Sequence, residues 1–232
     1  DNSIERTEYV EFIPQSKANF NDHSPIIEIE IPAADVYYKP SKSYIKITGR
    51  LVRNDNNQAY TVNDQISLVN NGIMYLFSNI EYQLGGKIME TINYPGHTTS
   101  MLGYLSYPDD FNSSAGQKQC WRKDTTVNAS SNKYLASEAV AAGAIPADRF
   151  TPHNDPNYNE GFANRRSLII NNDAPGRFSF IVPFSHIFGF AEYEKVLYNL
   201  QHILKFRREA DTLAIHRANG VADGKIVLHD IK

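Results

Sequence analysis

Short runs of alternating apolar and polar residues recur along the chain, and this period of two is typical of half-buried β-strands. The pattern is strongest over Ile26–Ile31 and Tyr44–Arg53, where polar side chains separate the aliphatic ones. We therefore expect one face of each strand to be buried. The side chains predicted on the buried faces are Ile27, Ile29 and Ile31 in the first strand and Ile45, Ile47 and Leu51 in the second.

Further strands follow from the same pattern, and no strand–helix–strand alternation accompanies them. Many strands without that alternation favour an antiparallel β-sandwich over a parallel sheet, and a jelly roll fits their number. The fold class predicted is therefore all-β, with long inter-strand loops and short helices. The remaining predicted strands and extended pieces are Thr7–Ile13, Asp35–Tyr38, Asn79–Leu84, Lys87–Ile92, Ser167–Ile170, Arg177–Val182, Gln201–Arg208, Leu213–Arg217 and Lys225–Ile231.

Turn and helix signals punctuate the strands. Gly85 and Gly86 lie between two β-capable runs, which predicts a tight hairpin because both turn positions need a positive φ. A short helix is expected over Pro95–Tyr107, and short helical turns over Val69–Phe77 and Pro183–Gly189. The side chains predicted on the buried side of the Pro95–Tyr107 helix are Met101, Leu102 and Leu105.

A long polar stretch separates the strands of the first half from those of the second. Residues Pro108–Asn164 are rich in Asp, Asn, Ser, Gly and Pro, with an Ala-rich patch over Ala136–Ala147 that could form one helix. Polar stretches of this length inside a compact domain are uncommon unless they are functional. We interpret this one as a large loop on a single jelly-roll domain that spans residues 1–232.

Composition narrows the functional classes. The 41% hydrophobic content is enough for a core, and the net charge of −3 argues against a freestanding nucleic-acid binder. Cys120, the only cysteine, cannot form an internal disulfide, and no apolar run is long enough to span a bilayer. The polar start of the chain shows no signal peptide, and its lack of a methionine is consistent with a missing N-terminal piece.

Two local patterns suggest ligand loops but depart from them. Asp155, Asn157 and Asn159 have the spacing that opens a calcium-binding EF-hand loop, yet the twelfth position is Arg166 rather than a bidentate glutamate. Gly85-Gly86-Lys87 lacks the upstream glycine and the following Ser or Thr of a phosphate-binding loop. We predict a polar loop in the first case and a hairpin turn in the second.

The remaining reactive residues show no catalytic or metal-binding arrangement. The seven histidines are scattered, although His202 and His216 could meet across strands, and Cys120 has no partner thiol. We predict no catalytic, metal or cofactor-binding residue, and an inert, buried thiol. The basic clusters are Arg165-Arg166 and Lys205-x-Arg207-Arg208, which we interpret as solvated faces or intersubunit ion pairs with weak or no nucleic-acid binding.

Several segments resemble the major capsid proteins of polintons and of related adintovirus-like and virophage-like elements. The resemblance extends from about Ile26 to Ile231, and several segments share the order and spacing of that family. The segments that carry it are Asn79–Lys87 (NIEYQLGGK) with Glu90, Pro95–Phe111 (PGHTTSMLGYLSYPDDF), Ile181–Phe190 (IVPFSHIFGF), Lys195–His202 (KVLYNLQH) and Lys225–Leu228 (KIVL).

The resemblance implies a structural protein rather than an enzyme. Such proteins carry two jelly rolls and form trimeric, pseudo-hexagonal capsomers in the icosahedral shell of a double-stranded DNA virus, assembled inside the host cell. This chain would correspond to the first jelly roll, as a fragment, a processed half or a host gene descended from a capsid. Its partners would be further copies of itself and neighbouring capsid proteins.

Two other functional classes stay open. A jelly roll can also serve as a binding module for a glycan or a protein, and a glycan site would need an aromatic platform beside carboxylate and amide groups. Tyr158, Asn157 and Asp155 could supply one. An enzyme is the third class, for which the sequence offers no constellation of catalytic residues.

Overall fold

The computed structural model describes residues 6–15, 20–21, 26–131, 158–171, 173, 175–192 and 194–232. Within them, short strands dominate and two α-helices are present. The strands are β1 (Ile26–Ile31), β2 (Tyr37–Tyr38), β3 (Tyr44–Arg53), β4 (Ile66–Leu68), β5 (Phe77–Leu84), β6 (Lys87–Asn93), β7 (Arg177–Pro183), β8 (Leu197–Tyr198), β9 (His202–Arg208), β10 (Ile215–Arg217) and β11 (Gly224–Ile231). The helices are α1 (Pro95–Ser106) and α2 (Glu160–Ile169).

Two antiparallel sheets form the body of the molecule. The first has the strand order β1-β9-β5-β6 and the second β11-β3-β7, while β4–β10 and β2–β8 are two-stranded ribbons. Strands of the first half of the chain pair with strands of the second half in both sheets, as β1 does with β9 and β3 with β7 and β11. This winding of two chain halves around each other is typical of a jelly roll, so the predicted all-β sandwich is confirmed.

The core lies between the two sheets and follows the predicted alternation. Ile27 and Ile29 of β1 and Ile45, Ile47 and Leu51 of β3 are buried in one continuous hydrophobic cluster. Ile31, at the end of its strand, is only partly buried against that cluster. The later strands contribute by the same period-two rule, through Phe178, Phe180, Val182, Leu204, Phe206, Ile226 and Leu228. Ile231 is also buried, because the register of β11 shifts between Leu228 and Asp230.

The hairpin predicted around the two glycines joins β5 to β6. Gly85 and Gly86 have φ values of 55° and 78°, in the left-handed region that glycine adopts without steric cost. The backbone N–H of Gly85 also donates to the carbonyl of Gln201, at 2.8 Å, which ties the turn to the segment before β9. The prediction of a hairpin rather than a phosphate loop is confirmed.

The prediction of a strand over Ser167–Ile170 is wrong, because Ser167–Ile169 form the end of α2 and Ile170 is its C-cap. Three aliphatic residues in a row suggested a strand, but Phe162, Arg165 and Ile169 recur at helical spacing and are all buried. Asn159 is the N-cap of the helix, and its side-chain oxygen accepts from the backbone N–H of Phe162 at 3.0 Å. The helix that begins after this cap extends through Ile169, so the aliphatic residues predicted as a strand are mostly helical.

The α1 helix forms where it was predicted, but its predicted buried side is wrong. Met101, Leu102 and Leu105 point away from the body, and the small residues Gly96 and Gly103 pack inward instead. The reason is steric: a Cβ at either glycine would come within 2.6 Å of an aromatic ring of the body. Only the small side of the helix can approach that surface.

The two described ends of the predicted Pro108–Asn164 loop pack against the body rather than extend from it. Phe111, Cys120 and Trp121 are buried, and the Asn159 side chain donates to the carbonyls of Thr126 (2.7 Å) and Asn128 (3.0 Å). The predicted Ala136–Ala147 helix and the run Asp155–Asn157 lie outside the described residues. Among the described residues, no helix is long and apolar enough to cross a membrane.

A Gly86→Ala substitution should lower the free energy of unfolding by about 1 kcal/mol, because alanine in the left-handed region is strained even in open space. No heavy atom lies within 4 Å of a Cβ at this position, so the effect isolates the backbone conformation. The matched control is Gly189→Ala, where φ lies outside the left-handed region and the nearest heavy atom is 3.9 Å from the added Cβ. Urea unfolding of both variants measures the difference, and equal stabilities would contradict this account.

Candidate assembly surface

A cluster of aromatic rings joins the β5–β6 hairpin to the turn that follows β7. Tyr82, fully buried in β5, stacks on Phe190 with ring centroids 4.4 Å apart and lies 5.5 Å from Phe188. Phe184 meets the same ring edge-on at 6.4 Å. Such contacts add to the free energy gained from burial, so they hold the hairpin against the end of the other sheet.

His202 is buried within this cluster and bonded to Tyr82. The Tyr82 hydroxyl bonds to Nδ1 of His202, whose ring also meets Tyr38 edge-on at 4.4 Å. Burial lowers the pKa of His202 to about 4 and raises the pKa of the Tyr82 hydroxyl. At neutral pH the imidazole is therefore neutral and shares a hydrogen bond with the neutral phenol, so the pair is satisfied without a buried charge.

Polar contacts bring β6 and the region after α1 to the same turn. The Glu90 carboxylate of β6 accepts from the backbone N–H groups of Gly189 (3.1 Å) and Phe190 (3.4 Å). His186 bonds to the side-chain oxygen of Gln119 at 2.7 Å, and its ring lies 5.0 Å from that of Tyr107. Segments that are far apart in the sequence thus meet beside the hairpin.

The inner side of α1 consists of small residues that let the helix lie flush against the body. The backbone at Gly96 lies against the ring of Tyr75, and the backbone at Gly103 lies against Trp121. Between them, Thr99 and Ser100 accept hydrogen bonds from the Asn71 amide at 2.7 and 3.1 Å. The helix is therefore rigidly placed by contacts along its whole inner side.

The outer side of α1 is apolar and exposed. Met101, Leu102 and Leu105 are 67%, 50% and 85% exposed, and they lie within one turn of each other on the helix surface. Tyr94, immediately before the helix, is also exposed. Exposed helical faces normally carry charged residues, but no Asp, Glu, Lys or Arg occurs between Glu90 and Asp109. We call Tyr94 and these three residues of α1 the α1 face.

Further apolar side chains are exposed on β6, which precedes α1 in the sequence, and on the β2–β8 ribbon. Ile88 and Met89 are exposed on β6, which is an end strand of its sheet in the described structure. On the β2–β8 ribbon, Tyr37 and Tyr198 are exposed, with ring centroids 5.0 Å apart. Val36 and Val196 extend this second surface, which we call the ribbon face.

The predicted basic clusters form solvated faces only in part. Arg165 and Arg208 are buried, so neither can meet a nucleic acid or a neighbouring subunit. Lys205 lies 3.6 Å from Glu28 on the adjacent strand, and Arg207 is exposed on the sheet face. Arginine at these two positions is buried because carbonyl groups from distant segments converge on it, which the local sequence does not reveal.

The Arg165 side chain connects α2 to two other segments, the strand that contains Leu68 and the stretch that contains Arg122 and Asp124. Its Nε donates to the carbonyl of Leu68 at 2.8 Å, Nη1 donates to the carbonyl of Arg122, and Nη2 lies 2.6 Å from Asp124. Arg208 does the same elsewhere, donating to Phe20, Leu76 and Asp211 at 3.1, 2.8 and 2.7 Å. Buried arginine of this kind is a structural crosslink, because its guanidinium donates in several directions at once.

The remaining candidate side chains, Cys120, His202 and His216, pack against other parts of the structure. Cys120 is fully buried, as predicted, and burial raises the pKa of its thiol to about 11. His202 and His216 have different aromatic partners, since the ring of His216 packs edge-on against Phe162 at 5.6 Å. No group of three or more metal-ligating side chains occurs within the part of the chain that the structure describes.

Comparisons with known proteins give structural matches alone. No family model matches the sequence, and no curated protein matches it. The mavirus major capsid protein matches the whole chain with a TM-score of 0.45 and 13% identity, and the chain covers 48% of it. PBCV-1 VP54, in a structure fitted into a cryo-EM reconstruction of the virophage Sputnik, matches 98% of the chain with a TM-score of 0.39 and 12% identity, and 44% of that protein is covered. The chain thus spans about half the length of these solved proteins.

Stability should fall as the pH drops from 6.5 towards 4. His202 binds a proton near pH 6.5 in the unfolded chain, but only at about pH 4 in the folded chain. Acid therefore lowers the free energy of unfolding, by an amount on the order of 3 kcal/mol at most. The lowered pKa of His186 acts in the same direction. A His202→Asn variant keeps an acceptor for Tyr82 but does not titrate. Urea unfolding across this range should show a shallower pH dependence for the variant, and equal slopes would refute the assignment.

Loss of the buried Arg165 should destabilise the protein far more than loss of an exposed arginine. Arg165→Leu leaves two carbonyl groups and Asp124 without their donor, which should lower the free energy of unfolding by about 3–5 kcal/mol. The control Arg207→Leu removes the same charge from the surface and should change it by less than about 0.5 kcal/mol. Denaturant midpoints of the two variants decide this, and similar losses would mean that the burial of Arg165 is not structural.

Proposed function

We propose that this chain is a non-enzymatic structural protein, a jelly-roll subunit of a viral-type capsid. The observation that carries the proposal is the convergence of the segments whose sequences resemble capsid proteins. They form the β5–β6 hairpin, α1 and the turn after β7, and they meet through the rings of Tyr82, Phe190 and Tyr107 and the Glu90 carboxylate. Segments that resemble one family in sequence thus build one compact unit.

The exposed apolar surface supports the same function. The α1 face and the ribbon face leave several large apolar or aromatic side chains in contact with water on a chain whose core is otherwise well formed. Patches of this kind on a folded protein mark interaction sites, and interface centres are poor in charge and rich in Tyr and Met. A shell subunit needs such surfaces because its function consists of contacts with its neighbours.

We further propose that this chain forms homotrimeric capsomers of pseudo-hexagonal outline, which assemble into the icosahedral shell of a double-stranded DNA virus. The subunit would act in the virion after assembly inside the host cell, with copies of itself and neighbouring capsid proteins as partners. The near-neutral charge and the burial of Arg165 and Arg208 favour protein contacts over nucleic-acid contacts. The chain would form a single jelly-roll domain, and the described ends of the long stretch over residues 108–164 lie against it.

A second candidate, a glycan-binding jelly roll, is favoured by one groove. This groove of about 610 Å³ lies on the outer face of the four-stranded sheet. Its lining combines charged, amide and aromatic groups, namely Arg207, Glu209, Asn79, Asn93, Ser78 and Tyr94. An aromatic ring beside amide and carboxylate groups suits the ring and hydroxyl groups of a sugar. Of the glycan-site residues predicted from the sequence, Asp155 and Asn157 lie outside the described residues, and Tyr158 lies within them. A glycan array without binding would exclude this candidate.

Self-association is the test of the capsid proposal. Light scattering coupled to size exclusion should show a trimer or larger species whose fraction rises with protein concentration. Because the proposed contacts are mainly apolar, association should persist in 1 M salt, where Debye screening acts over about 3 Å and removes exposed ion-pair contributions. A chain that stays monomeric at all concentrations would contradict self-assembly by this chain, and loss of association in salt alone would contradict its apolar basis.

A further inference from the structure

We propose that Tyr37 and Tyr198 form a site of oxidative modification, at which a one-electron oxidant of the peroxidase class joins the two rings by a carbon–carbon bond. The two residues face each other directly across the β2–β8 ribbon, with ring centroids 5.0 Å apart and ring planes inclined by 39°. The product, a dityrosine, is a crosslink within one chain. This modification goes beyond the proposed function and does not depend on it, because the reaction needs only the free chain.

The first argument is the geometry and exposure of the pair. Directly opposed residues of two antiparallel strands hold their side chains on one face of the ribbon, so the two rings remain neighbours. Tyr37 is 78% exposed and Tyr198 is 49% exposed, so an oxidant in solution can reach both phenols. The χ2 torsions of aromatic residues are broad, and exposed rings can therefore turn until their ortho carbons meet.

The second argument is the carboxylate of Asp35, which accepts a hydrogen bond from the Tyr198 hydroxyl. A phenol that loses an electron becomes a strong acid, and a carboxylate that is already bonded to it can take the proton in the same step. The reaction then avoids a charged radical. Asp35 therefore makes Tyr198 the more easily oxidised member of the pair, and Tyr37 is the ring with which its radical couples.

The reaction balances with hydrogen peroxide as the terminal oxidant. Each phenol gives up one electron and one proton, the proton of Tyr198 passing to Asp35 and that of Tyr37 to water. The two phenoxyl radicals couple through their ortho carbons, and the hydrogen on each of these carbons then moves to the phenolic oxygen. One carbon–carbon bond forms, the chain loses two hydrogen atoms, and the peroxide is reduced to water.

The third argument is what the new bond connects. β2 and β8 have two residues each, and a ribbon this short is marginally stable on its own. The bond joins the segment before β3 to the segment after β7, which are far apart in the sequence. Within the described part of the chain, Tyr9 and Tyr44 also form a tyrosine pair, at 5.6 Å, but neither hydroxyl is bonded to a described carboxylate. That pair therefore serves as an internal control.

The experiment treats the 232-residue chain, at a dilution where it is monomeric, with a peroxidase and hydrogen peroxide. Dityrosine fluorescence, the intact mass and the masses of digested peptides are followed. The wild type should lose two hydrogen atoms and give one principal crosslink, between residues 37 and 198. This crosslink should raise the Tm by roughly 10 °C, because it closes a long loop of the unfolded chain.

Three variants, each verified as folded by circular dichroism, test the assignment. Tyr198→Phe keeps the ring but forms no phenoxyl radical, and it should lower the dityrosine yield at least about ten-fold. Tyr44→Phe removes a phenol of the control pair and should leave the yield within about two-fold, because the two pairs are independent. Asp35→Asn should slow the coupling.

Three results would each overturn the proposal. They are a wild type that forms no dityrosine, a Tyr198→Phe variant with an unchanged yield, and crosslinks that join separate chains in place of residues 37 and 198. An unchanged coupling rate in Asp35→Asn would overturn the role of this carboxylate as proton acceptor.

Discussion

The packing around Tyr82 is the contact on which much of the remaining structure depends. Tyr82 belongs to β5 of the four-stranded sheet, whereas its ring neighbours Phe184, Phe188 and Phe190 belong to the turn that follows β7 of the other sheet. The Glu90 carboxylate fixes the backbone of that turn from the same hairpin. One aromatic cluster therefore sets the position of the hairpin relative to the second sheet. Because α1 continues directly from the hairpin, this cluster also helps to place the exposed α1 face.

Most of the strand structure could be predicted from the sequence because its cause is local. A buried face of a strand needs apolar residues at every second position, and Ile27, Ile29, Ile45 and Ile47 show this without reference to the rest of the chain. The hairpin is similarly local, since Gly85 and Gly86 supply the required left-handed backbone themselves. Strand identity and the main buried faces thus follow from neighbours in sequence.

The candidate surface could be predicted only in part because its cause is not local. Periodicity located α1 but could not show which side faces the body, since both sides lack charge and the choice depends on Tyr75 and Trp121 fitting against glycine. The burial of Arg165 likewise depends on carbonyl groups of Leu68 and Arg122, far away in the sequence. Gly96 and Gly103 lie about two helical turns apart and therefore on the same side of α1. This pair of glycines is the sequence feature that could have indicated which side of the helix faces the body.

The pairing of early strands with late ones also constrains the order in which the chain can fold during translation. β1 and β3 leave the ribosome before their partners, since β1 pairs with β9 and β3 with β7 and β11. The isoleucines of the early strands therefore stay exposed until those later strands have been synthesised, a state in which chains are prone to aggregate. A nascent chain of this topology is thus exposed to aggregation for longer than a chain built from consecutive hairpins.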